Sequence, residues 1–368
     1  LLENIILNRL LSYSAIVIPE WQTAFQKGKS INHNILALVN DITMGFNTQS
    51  YMVAIFLDIA KAFDTVWFTG LIYKISKFLP QSLTKLIYSY LQKRTFQVKI
   101  DGVCSTSRSI NAGVPQGSVL GPILYCLYMS DIPTHEQTNI LMYADDTTIY
   151  SKSQNPNFAV SKVQQHIMIL EEWLKMWRIS INADKCQSII FTRSRKRPRE
   201  NIFVNKHEIP FSENVKYLGI YLDKRLNWHK HIETTKSKGC ARISQLYPIF
   251  KSPALSRKRK VIIYKMLILS ILRYAAPAWC YIPRTVFKPL QIVQNKALRI
   301  IYSADRYTRN NKIHQDLQMK TLSVILKEEV KKFYANMDES DCLFIKKLGQ
   351  YNPKIFYKHR TPKSFLME

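Results

Sequence analysis

The chain has 368 residues, 46% of them hydrophobic, and its 53 Lys and Arg against 26 Asp and Glu give a formal net charge of +27. That length and hydrophobic content support more than one core, so we expect two or three domains or subdomains. A globular protein this basic usually binds a polyanion, most often nucleic acid, although a basic protein with no special partner is the alternative.

The cysteines and the apolar runs argue against several other classes. Six cysteines are scattered without a Cys-x-x-Cys pair, which predicts reduced thiols rather than a disulfide scaffold or a zinc knuckle. No apolar run reaches membrane-spanning length, so we expect no membrane partner and an intracellular location, in the nucleus, the cytoplasm or both. The chain opens inside a helical pattern without an initiator Met, and we expect it to be a piece of a longer protein.

The first part of the chain predicts helices around one buried strand. Apolar residues at helical spacing indicate the helices, and a β-branched and aromatic run indicates the strand. Asp101-Gly102 is a typical hairpin turn. The predicted elements are helix 1–13, loop 22–30, helix 31–44, strand 51–58, helix 83–94 and hairpin 95–110.

The second part begins as a mixed α+β core and becomes helical after about residue 228. The order of elements is therefore helices, a mixed core and a helical appendage. The predicted elements are a loop leading into a helix at 113–132, hairpin 140–151, helix 157–179, a loop into a strand at 179–191, strand 216–223 and helices through 228–302.

Three carboxylates stand out because they border apolar strands. Asp58 ends the strand at 51–58, and Asp145 and Asp146 lie at the tip of the hairpin at 140–151. A carboxylate beside a hydrophobic strand loses hydration unless something compensates, and three brought together would raise each other's pKa. A divalent cation removes both problems, and hard oxygen ligands favour Mg²⁺ or Mn²⁺. Two such ions about 3.5–4 Å apart would serve a phosphoryl transfer.

Each of these residues also has an ordinary structural explanation. Asp-Asp is common in hairpin turns, and Asp58 could be the N-cap of a following helix. Adjacent strand residues point to opposite faces. This rule relaxes at the tip of a hairpin, yet we expect Asp145 rather than Asp146 to be the direct metal ligand. The joint arrangement, rather than either site alone, favours the metal.

Five segments in a fixed order carry a resemblance to a known family. They are FLDIAKAFDTVW at 56–67, GVPQGSVLGPILY at 113–125, YADD at 143–146, NADKCQ at 182–187 and KYLGIYLD at 216–223, and a tail pattern at 269–281 and 290–308 accompanies them. In this order and spacing the chain resembles the reverse transcriptases of non-LTR (LINE-type) retrotransposons, most closely the jockey-like elements. The resemblance covers nearly the whole chain.

The resemblance implies an RNA-directed DNA polymerase with an α+β right-hand fold of fingers, palm and thumb. Its implied partners are an RNA template, a DNA primer and deoxynucleoside triphosphates (dNTPs); the oligomeric state is left open. The implied segments are partial fingers at 1–112 (with the first palm strand near 52–58), palm at 113–222, helical thumb at 223–310 and a helical, basic tail at 311–368.

The resemblance also assigns roles to residues. Asp58, Asp145 and Asp146 are the catalytic carboxylates and the ligands of two Mg²⁺ or Mn²⁺ ions. Lys185 neutralises or protonates the leaving pyrophosphate. The substrate-binding residues are Phe63, Gln116, Gly117, Lys27 and Lys29, and the primer grip is Tyr217, Leu218 and Gly219.

Several of these roles have plainer alternatives. Phe63 would exclude a 2′-hydroxyl as a steric gate, or it is simply part of the core. Gln116 and Gly117 also form a helix-leading turn, and a lone lysine such as Lys185 is usually a solvated surface residue. The basic runs at 193–199 and 257–260 would contact phosphates, although the first could be a nuclear-address signal or a solvated loop.

Two other functions compete with reverse transcription. Ala24 and Gln26 stand where the family pattern has glycine and arginine, which favours a degenerate or domesticated copy that binds nucleic acid without catalysis. An RNA polymerase that copies RNA would share an acidic palm turn, but Phe63 argues against this function.

Overall fold

A computed structural model describes residues 1–350 and 359–363. The chain divides into two compact units, and the parts of the predicted tail at 351–358 and 364–368 lie outside the described residues. The first unit comprises Leu1–Asn34, Ser50–Ile190 and Ser194–Ser212, and the second comprises Ile35–Gln49, Phe191–Arg193 and the described chain from Glu213 onward. The finer division into fingers, palm, thumb and tail remains a prediction. Among the described residues, no helix has both the length and the apolar character needed to cross a bilayer.

The first unit is built on a four-stranded sheet. Its helices and strands, in chain order, are α1 (Leu2–Val17), α2 (Ile31–Asn47, which continues into the second unit), β1 (Tyr51–Leu57), α3 (Phe68–Ser76), α4 (Gln81–Leu91), β2 (Thr95–Phe96), β3 (Lys99–Ile100), β4 (Val103–Cys104), β5 (Arg108–Ser109), α5 (Gly121–Tyr128), β6 (Asn139–Tyr143), β7 (Asp146–Ser153), α6 (Pro156–Met176), β8 (Gln187–Phe191), β9 (Ile202–Val204) and β10 (His207–Ile209). The sheet has the order β6-β7-β1-β8. The predicted strand before Asp58 and the predicted hairpin around Asp145 are confirmed.

Strand β1 lies at the centre of this unit because its side chains are apolar on both faces. All seven of its residues are buried, which explains why its sequence is a continuous apolar run rather than an alternating one. Helix α6 packs against β1 and β7. It begins at Asn155, whose side chain accepts a hydrogen bond from the Asn157 N–H, with Pro156 in the first turn, both typical of a helix start. Helix α6 therefore supports the two central strands of the sheet.

The predicted hairpin at 95–110 is confirmed, and it differs from the sheet in its surroundings. Strand β2 pairs with β5 and β3 pairs with β4, and every residue from 95 to 109 is exposed. Its apolar side chains are exposed as well, with Phe96 at 47% and Ile100 at 68%. We call residues 95–109 the outer hairpin. A two-stranded hairpin without a packed face is only marginally stable by itself.

The second unit is predominantly helical, as predicted. Its elements are β11 (Asn214–Tyr217), β12 (Ile220–Asp223), α7 (His229–Lys251), α8 (Arg257–Tyr264), a π-helical turn (Lys265–Leu269), α9 (Ser270–Leu272), α10 (Ala276–Trp279), α11 (Arg284–Tyr302), α12 (Asn310–Asp316), α13 (Leu322–Asp338) and α14 (Leu343–Gly349). Helices α7 and α11 form its main packed pair. Helix α11 buries an apolar stripe that includes Leu290, Val293 and Ala297, the periodicity expected of a helix with one core face.

The prediction of a single strand at 216–223 is wrong. Strands β11 and β12 form an antiparallel hairpin in which Tyr217 pairs with Ile220. Leu218 and Gly219 make the turn with φ of 44° and 83°, and two consecutive positive φ values match the tight turns that join twisted strands. Apolar residues stand on both sides of Gly219 without a break in the pattern, so periodicity alone does not reveal the turn.

Candidate active site

The pairing of β1 with β7 determines where Asp58 lies. The two strands are antiparallel, and their last pair is Leu57 with Thr147. One further step of this register sets Asp58 opposite Asp146. On its other side, the Asp58 carbonyl accepts a hydrogen bond of 2.8 Å from the Asn182 N–H. The end of β1 is therefore held between strand β7 and the segment that leads to Lys185.

The other two carboxylates lie at the turn between β6 and β7. Tyr143 pairs with Asp146, which leaves Ala144 and Asp145 as a two-residue turn; we call β6, β7 and this turn the acidic hairpin. Ala144 has a φ of 59°, a left-handed conformation that is uncommon for a residue with a side chain. Asp145 is half-buried and Asp146 is exposed.

The three carboxylates interact electrostatically. Loss of surrounding water, followed by the negative charges of Asp145 and Asp58, raises the pKa of Asp146 to about 6. Because the Asp146 residue as a whole is exposed, we give more weight to repulsion from the neighbouring carboxylates than to loss of water as the cause of this raised pKa. The structure thus brings together the three acidic residues that the sequence analysis singled out.

A cavity of about 440 Å³ brings some of the other predicted site residues together with two of the carboxylates. It is lined by Asp58 and Asp145 and by three of the nine other predicted site residues, Phe63, Gln116 and Lys185. The Lys185 ammonium lies 3.8 Å from the Asp58 carboxylate, and both side chains are well exposed, at 67% and 41%. An ion pair this accessible adds little stability, so it is better understood as part of a polar site than as a structural link.

The carboxylates fit a divalent metal by their chemistry. Within residues 1–350 and 359–363, no group of three or more His, Cys, Asp or Glu side chains is arranged closely enough to form a ready metal cage. The donors are nevertheless all carboxylate oxygens, which Mg²⁺ and Mn²⁺ prefer. The negative charges of Asp145 and Asp58 contribute, after burial, to the raised pKa of Asp146, so a positive charge at this edge would relieve repulsion. The assignment of Asp58, Asp145 and Asp146 as metal ligands remains a prediction.

Phe63 lines the cavity and lies against other aromatic side chains. Its ring stacks on Tyr125 with centroids 4.8 Å apart and an angle of 27°, and Phe25 meets it edge-on at 6.4 Å. The alternative in which Asp58 is the N-cap of a following helix is wrong. Phe63 lies on a turn, because Lys61 has a φ of 48° and the next helix begins only at Phe68.

Gln116 and Gly117 form a turn before α5, as predicted. The Gln116 side-chain amide donates a hydrogen bond of 2.8 Å to the Asp64 carboxylate, which agrees with a structural role for Asp64. Gly117 has a φ of 80°, and no atom lies within 4 Å of the position its Cβ would occupy. The backbone of this turn is therefore open to a ligand from outside.

The lysines of the loop at 22–30 do not line the cavity. Lys27 is exposed, and the Lys29 ammonium donates a hydrogen bond of 2.9 Å to the Glu20 carbonyl. Their predicted contact with substrate therefore remains a prediction for a complex.

The predicted primer grip lies in the second unit, at the turn between β11 and β12. The Tyr274 hydroxyl donates a hydrogen bond of 2.7 Å to the Leu218 carbonyl. A Cβ on Gly219 would lie 3.1 Å from the Tyr274 ring, so a side chain at this position would press on Tyr274. Tyr217 is buried. The turn is well ordered by these contacts, and its role in holding a primer remains a prediction.

Sequence reasoning missed two residues of this site. Tyr125, the last residue of the segment at 113–125, supports one face of Phe63. Gln22, which was expected only to open a loop, is 2% exposed and contacts the turn that carries Asp145. No local sequence signal identifies either role, because both contacts join segments far apart in the chain.

Comparisons with known proteins agree with the geometry. Residues 1–222 match the family model described as reverse transcriptase (RNA-dependent DNA polymerase). The chain is 30% identical to the probable RNA-directed DNA polymerase from transposon X-element of Drosophila melanogaster, over 99% of this chain and 41% of the relative. It is 33% identical to the RNA-directed DNA polymerase from mobile element jockey of the same organism, over 95% of this chain and 39% of the relative.

A solved structure of similar arrangement is apo telomerase from Candida tropicalis, with 13% identity, a TM-score of 0.44, and coverage of 96% of this chain and 60% of that one. The chain spans about two-fifths of the length of the curated relatives it matches. The predicted resemblance to jockey-like enzymes and the α+β right-hand polymerase fold are confirmed by the family match and the relatives. By the match over residues 1–222 and the identity over nearly its whole length, this chain belongs to the reverse transcriptase (RNA-dependent DNA polymerase) family.

Proposed function

We propose that this chain copies an RNA template into DNA by adding deoxynucleotides to the 3′-hydroxyl of a primer. The observation that carries the proposal is the strand register that sets Asp58 opposite Asp146 and beside Asp145. Membership of the reverse transcriptase family implies an RNA template and a divalent metal in general. The primer, the dNTPs and the identity and number of the ions belong to the proposal.

The side chains around the cavity divide the chemistry between them. Asp58, Asp145 and Asp146 would hold two Mg²⁺ or Mn²⁺ ions, which make the primer hydroxyl more acidic and neutralise the triphosphate. Lys185, next to Asp58, is placed to neutralise or protonate the departing pyrophosphate. The open turn at Gln116 and Gly117 offers polar groups and an accessible backbone to the nucleotide and the template.

Phe63 is proposed to select the sugar of the incoming nucleotide. It lines the same cavity as Asp58 and Asp145, and its stacking on Tyr125 restricts its movement. A flat apolar ring held in this way offers no hydrogen bond and little room to a 2′-hydroxyl.

Basic residues support binding of a nucleic-acid backbone. The run at 193–199 is exposed apart from a half-buried Pro198. In the run at 257–260, Arg257, Lys258 and Arg259 are exposed at the start of α8, whereas Lys260 is buried. Each phosphate neutralised should contribute a slope of about −0.9 to the logarithm of affinity against the logarithm of salt concentration.

Primer extension tests the proposal directly. The wild-type chain should incorporate dTTP on poly(rA) annealed to oligo(dT) with Mg²⁺ or Mn²⁺, and Asp145→Asn should lower the rate by at least about a hundredfold, since even indirect partners of metal sites matter by 10–100-fold. Asp101→Asn is the matched control because Asp101 is an exposed turn residue of the outer hairpin.

Binding measured in the same samples separates the competing functions. If wild type and Asp145→Asn both bind the primer-template and neither extends it, the chain is a nucleic-acid-binding copy without catalysis. If Asp145→Asn extends as fast as wild type, the acidic turn is not the catalytic centre.

Sugar selection has its own test. Phe63→Ala should lower the preference for dTTP over UTP by about tenfold or more, because removal of the ring opens space for the 2′-hydroxyl. Phe96→Ala, which removes an exposed aromatic ring from the outer hairpin, should leave the preference unchanged. Equal use of the two nucleotides by the wild-type chain would instead indicate an RNA polymerase.

A further inference from the structure

Strand β6 lies at the edge of the sheet, and the side that faces away from β7 makes an unusual set of hydrogen bonds near the end of the strand. Met142 bonds to a neighbouring main chain, with its N–H donating to the Trp21 carbonyl and its carbonyl accepting from the Thr23 N–H, each at 3.0 Å. Residue 22 is thereby paired with Met142 as a one-residue parallel bridge. The main-chain pairing along this edge stops there, two residues before the turn that carries Asp145.

The side chain of Gln22 continues the pairing where the main chain stops. Its carbonyl oxygen accepts a hydrogen bond of 3.1 Å from the Ala144 N–H, and its amide nitrogen donates one of 3.2 Å to the Ala144 carbonyl. A carboxamide has the same donor and acceptor as a peptide group, so Gln22 bonds to Ala144 as another strand would. The Gln22 oxygen also accepts from the Ala24 N–H at 3.1 Å, which fixes the side chain itself.

The residue held in this way is the one whose backbone is least favourable. Ala144 has a φ of 59°, and non-glycine residues keep such conformations only where their surroundings impose them. Ala144 directly precedes Asp145, so its backbone angles set the direction in which the Asp145 carboxylate points. Gln22 is 2% exposed, so these bonds are largely shielded from solvent.

We infer that Gln22 is a positioning residue for the metal-binding turn, which it holds in its left-handed conformation from outside the sheet. This inference rests on the proposed function, because it assigns Gln22 to the geometry of the same carboxylates. Gln22 does not touch the reacting groups; it acts through Ala144. Loss of its carboxamide would let the turn relax and would misdirect Asp145 without removing any ligand.

The first test replaces the carboxamide with an apolar chain of the same length. Gln22→Met should lower kcat on poly(rA)–oligo(dT) by about 10–100-fold, the range typical of groups that orient metal ligands. The KM for dTTP and the Kd for primer-template should stay within about threefold of wild type, because substrate contacts are intact. In the metal-free chain, Mn²⁺ titration followed by electron paramagnetic resonance should show weaker binding by a similar factor.

Asn34 provides a matched control on the same edge. It is buried and donates a hydrogen bond of 2.8 Å to the Met142 carbonyl, so Asn34→Leu removes a buried polar contact from β6 without touching the turn. We expect Asn34→Leu to lower the melting temperature about as much as Gln22→Met while kcat and Mn²⁺ affinity stay near wild type. Equal losses of kcat and Mn²⁺ affinity in the two variants would reduce Gln22 to a structural role.

Amide hydrogen exchange of the wild-type chain gives an answer that depends on no variant. The Ala144 amide should exchange as slowly as the amides inside β6 and β7, although it lies in a turn. Rapid exchange at Ala144 would overturn the inference. If the wild-type chain and Gln22→Met extend primers equally well, the inference about Gln22 fails and the proposed function stands. If the wild-type chain does not extend primers, the proposed function itself fails.

Discussion

The first unit contains two hairpins that share a turn pattern and differ in almost everything else. Both have an Asp-containing turn between two strands, but the acidic hairpin has a continuous apolar arm at 140–143 and the outer hairpin has alternating residues. In the acidic hairpin, β7 is paired on both sides and most of its residues are buried. In the outer hairpin, all of residues 95–109 are exposed.

The difference shows what makes a turn suitable for catalysis. The turn at Ala144 is held by β1 through the strand register and by the Gln22 side chain. Among the described residues, the turn at Asp101 and Gly102 is held by strands β3 and β4 alone. A carboxylate must be fixed to within a fraction of an ångström to be a useful ligand, and only the acidic hairpin has partners on more than one side.

The largest expected contrast comes from the same substitution in each hairpin. Ile149 on β7 is fully buried and pairs with Ile55 and Ile140, so Ile149→Ala should lower the free energy of unfolding by about 2–5 kcal/mol. Ile100 in the outer hairpin is 68% exposed, and Ile100→Ala should change it by no more than about 0.5 kcal/mol. Urea denaturation measures both.

A large loss for Ile100→Ala would contradict the comparison. It would mean that the apolar side of the outer hairpin is covered in solution, for example by a second copy of the chain. The concentration dependence of the melting temperature would then separate a second copy from a partner within the same molecule.

The second contrast concerns pH, because only the acidic turn crowds its carboxylates. The pKa of Asp146 is raised from 3.8 to about 6, so the folded chain binds more protons than the unfolded chain between these values. Without divalent ions, the stabilisation from this group is complete below pH 3.8 and is lost as the pH rises through about 6. Thermal melting against pH should show this decline, and Asp146→Asn should reduce it.

Two controls belong to this experiment. Asp101→Asn, at the exposed turn, should leave the decline unchanged. Saturating Mn²⁺ at neutral pH should raise the melting temperature of the wild-type chain and raise it less for Asp146→Asn. An identical pH dependence for wild type and Asp146→Asn would show that repulsion among the carboxylates does not affect stability.

The comparison also explains how far the sequence can predict this molecule. The strand ending at Asp58, the hairpin at 140–151 and the helical second part follow from local composition and periodicity. The expectation that Asp58 lies beside the hairpin came from the family resemblance. Burial follows only in part, since the continuous apolar arm at 140–143 favours a buried strand. The alternating arms of the outer hairpin would equally suit a half-buried strand, and only tertiary packing decides that they are exposed.

The contacts that define the site escaped prediction for a related reason. The bonds between Gln22 and Ala144 span 122 residues, and the stacking of Phe63 on Tyr125 joins a turn to a helix. A single sequence contains no record of such pairs. The turn inside residues 216–223 was missed although Gly219 stands in it. The first turn residue, Leu218, adopts a positive φ without being glycine or asparagine, the residues that usually signal such a turn, and apolar residues surround the single glycine.

The smallest expected effect tests whether the outer hairpin moves independently. Gly102 has a φ of 87°, with no atom within 4 Å of its missing Cβ, so Gly102→Ala costs only the backbone strain of about 1–2 kcal/mol. Because the outer hairpin has no packed face, this cost should appear as faster amide exchange at Ser105, whose N–H donates to the Val98 carbonyl at 2.8 Å, by about fivefold or more. The melting temperature and the rate of primer extension should not change. A lower melting temperature would mean that this hairpin unfolds together with the sheet, and the two hairpins would then differ in exposure but not in cooperativity.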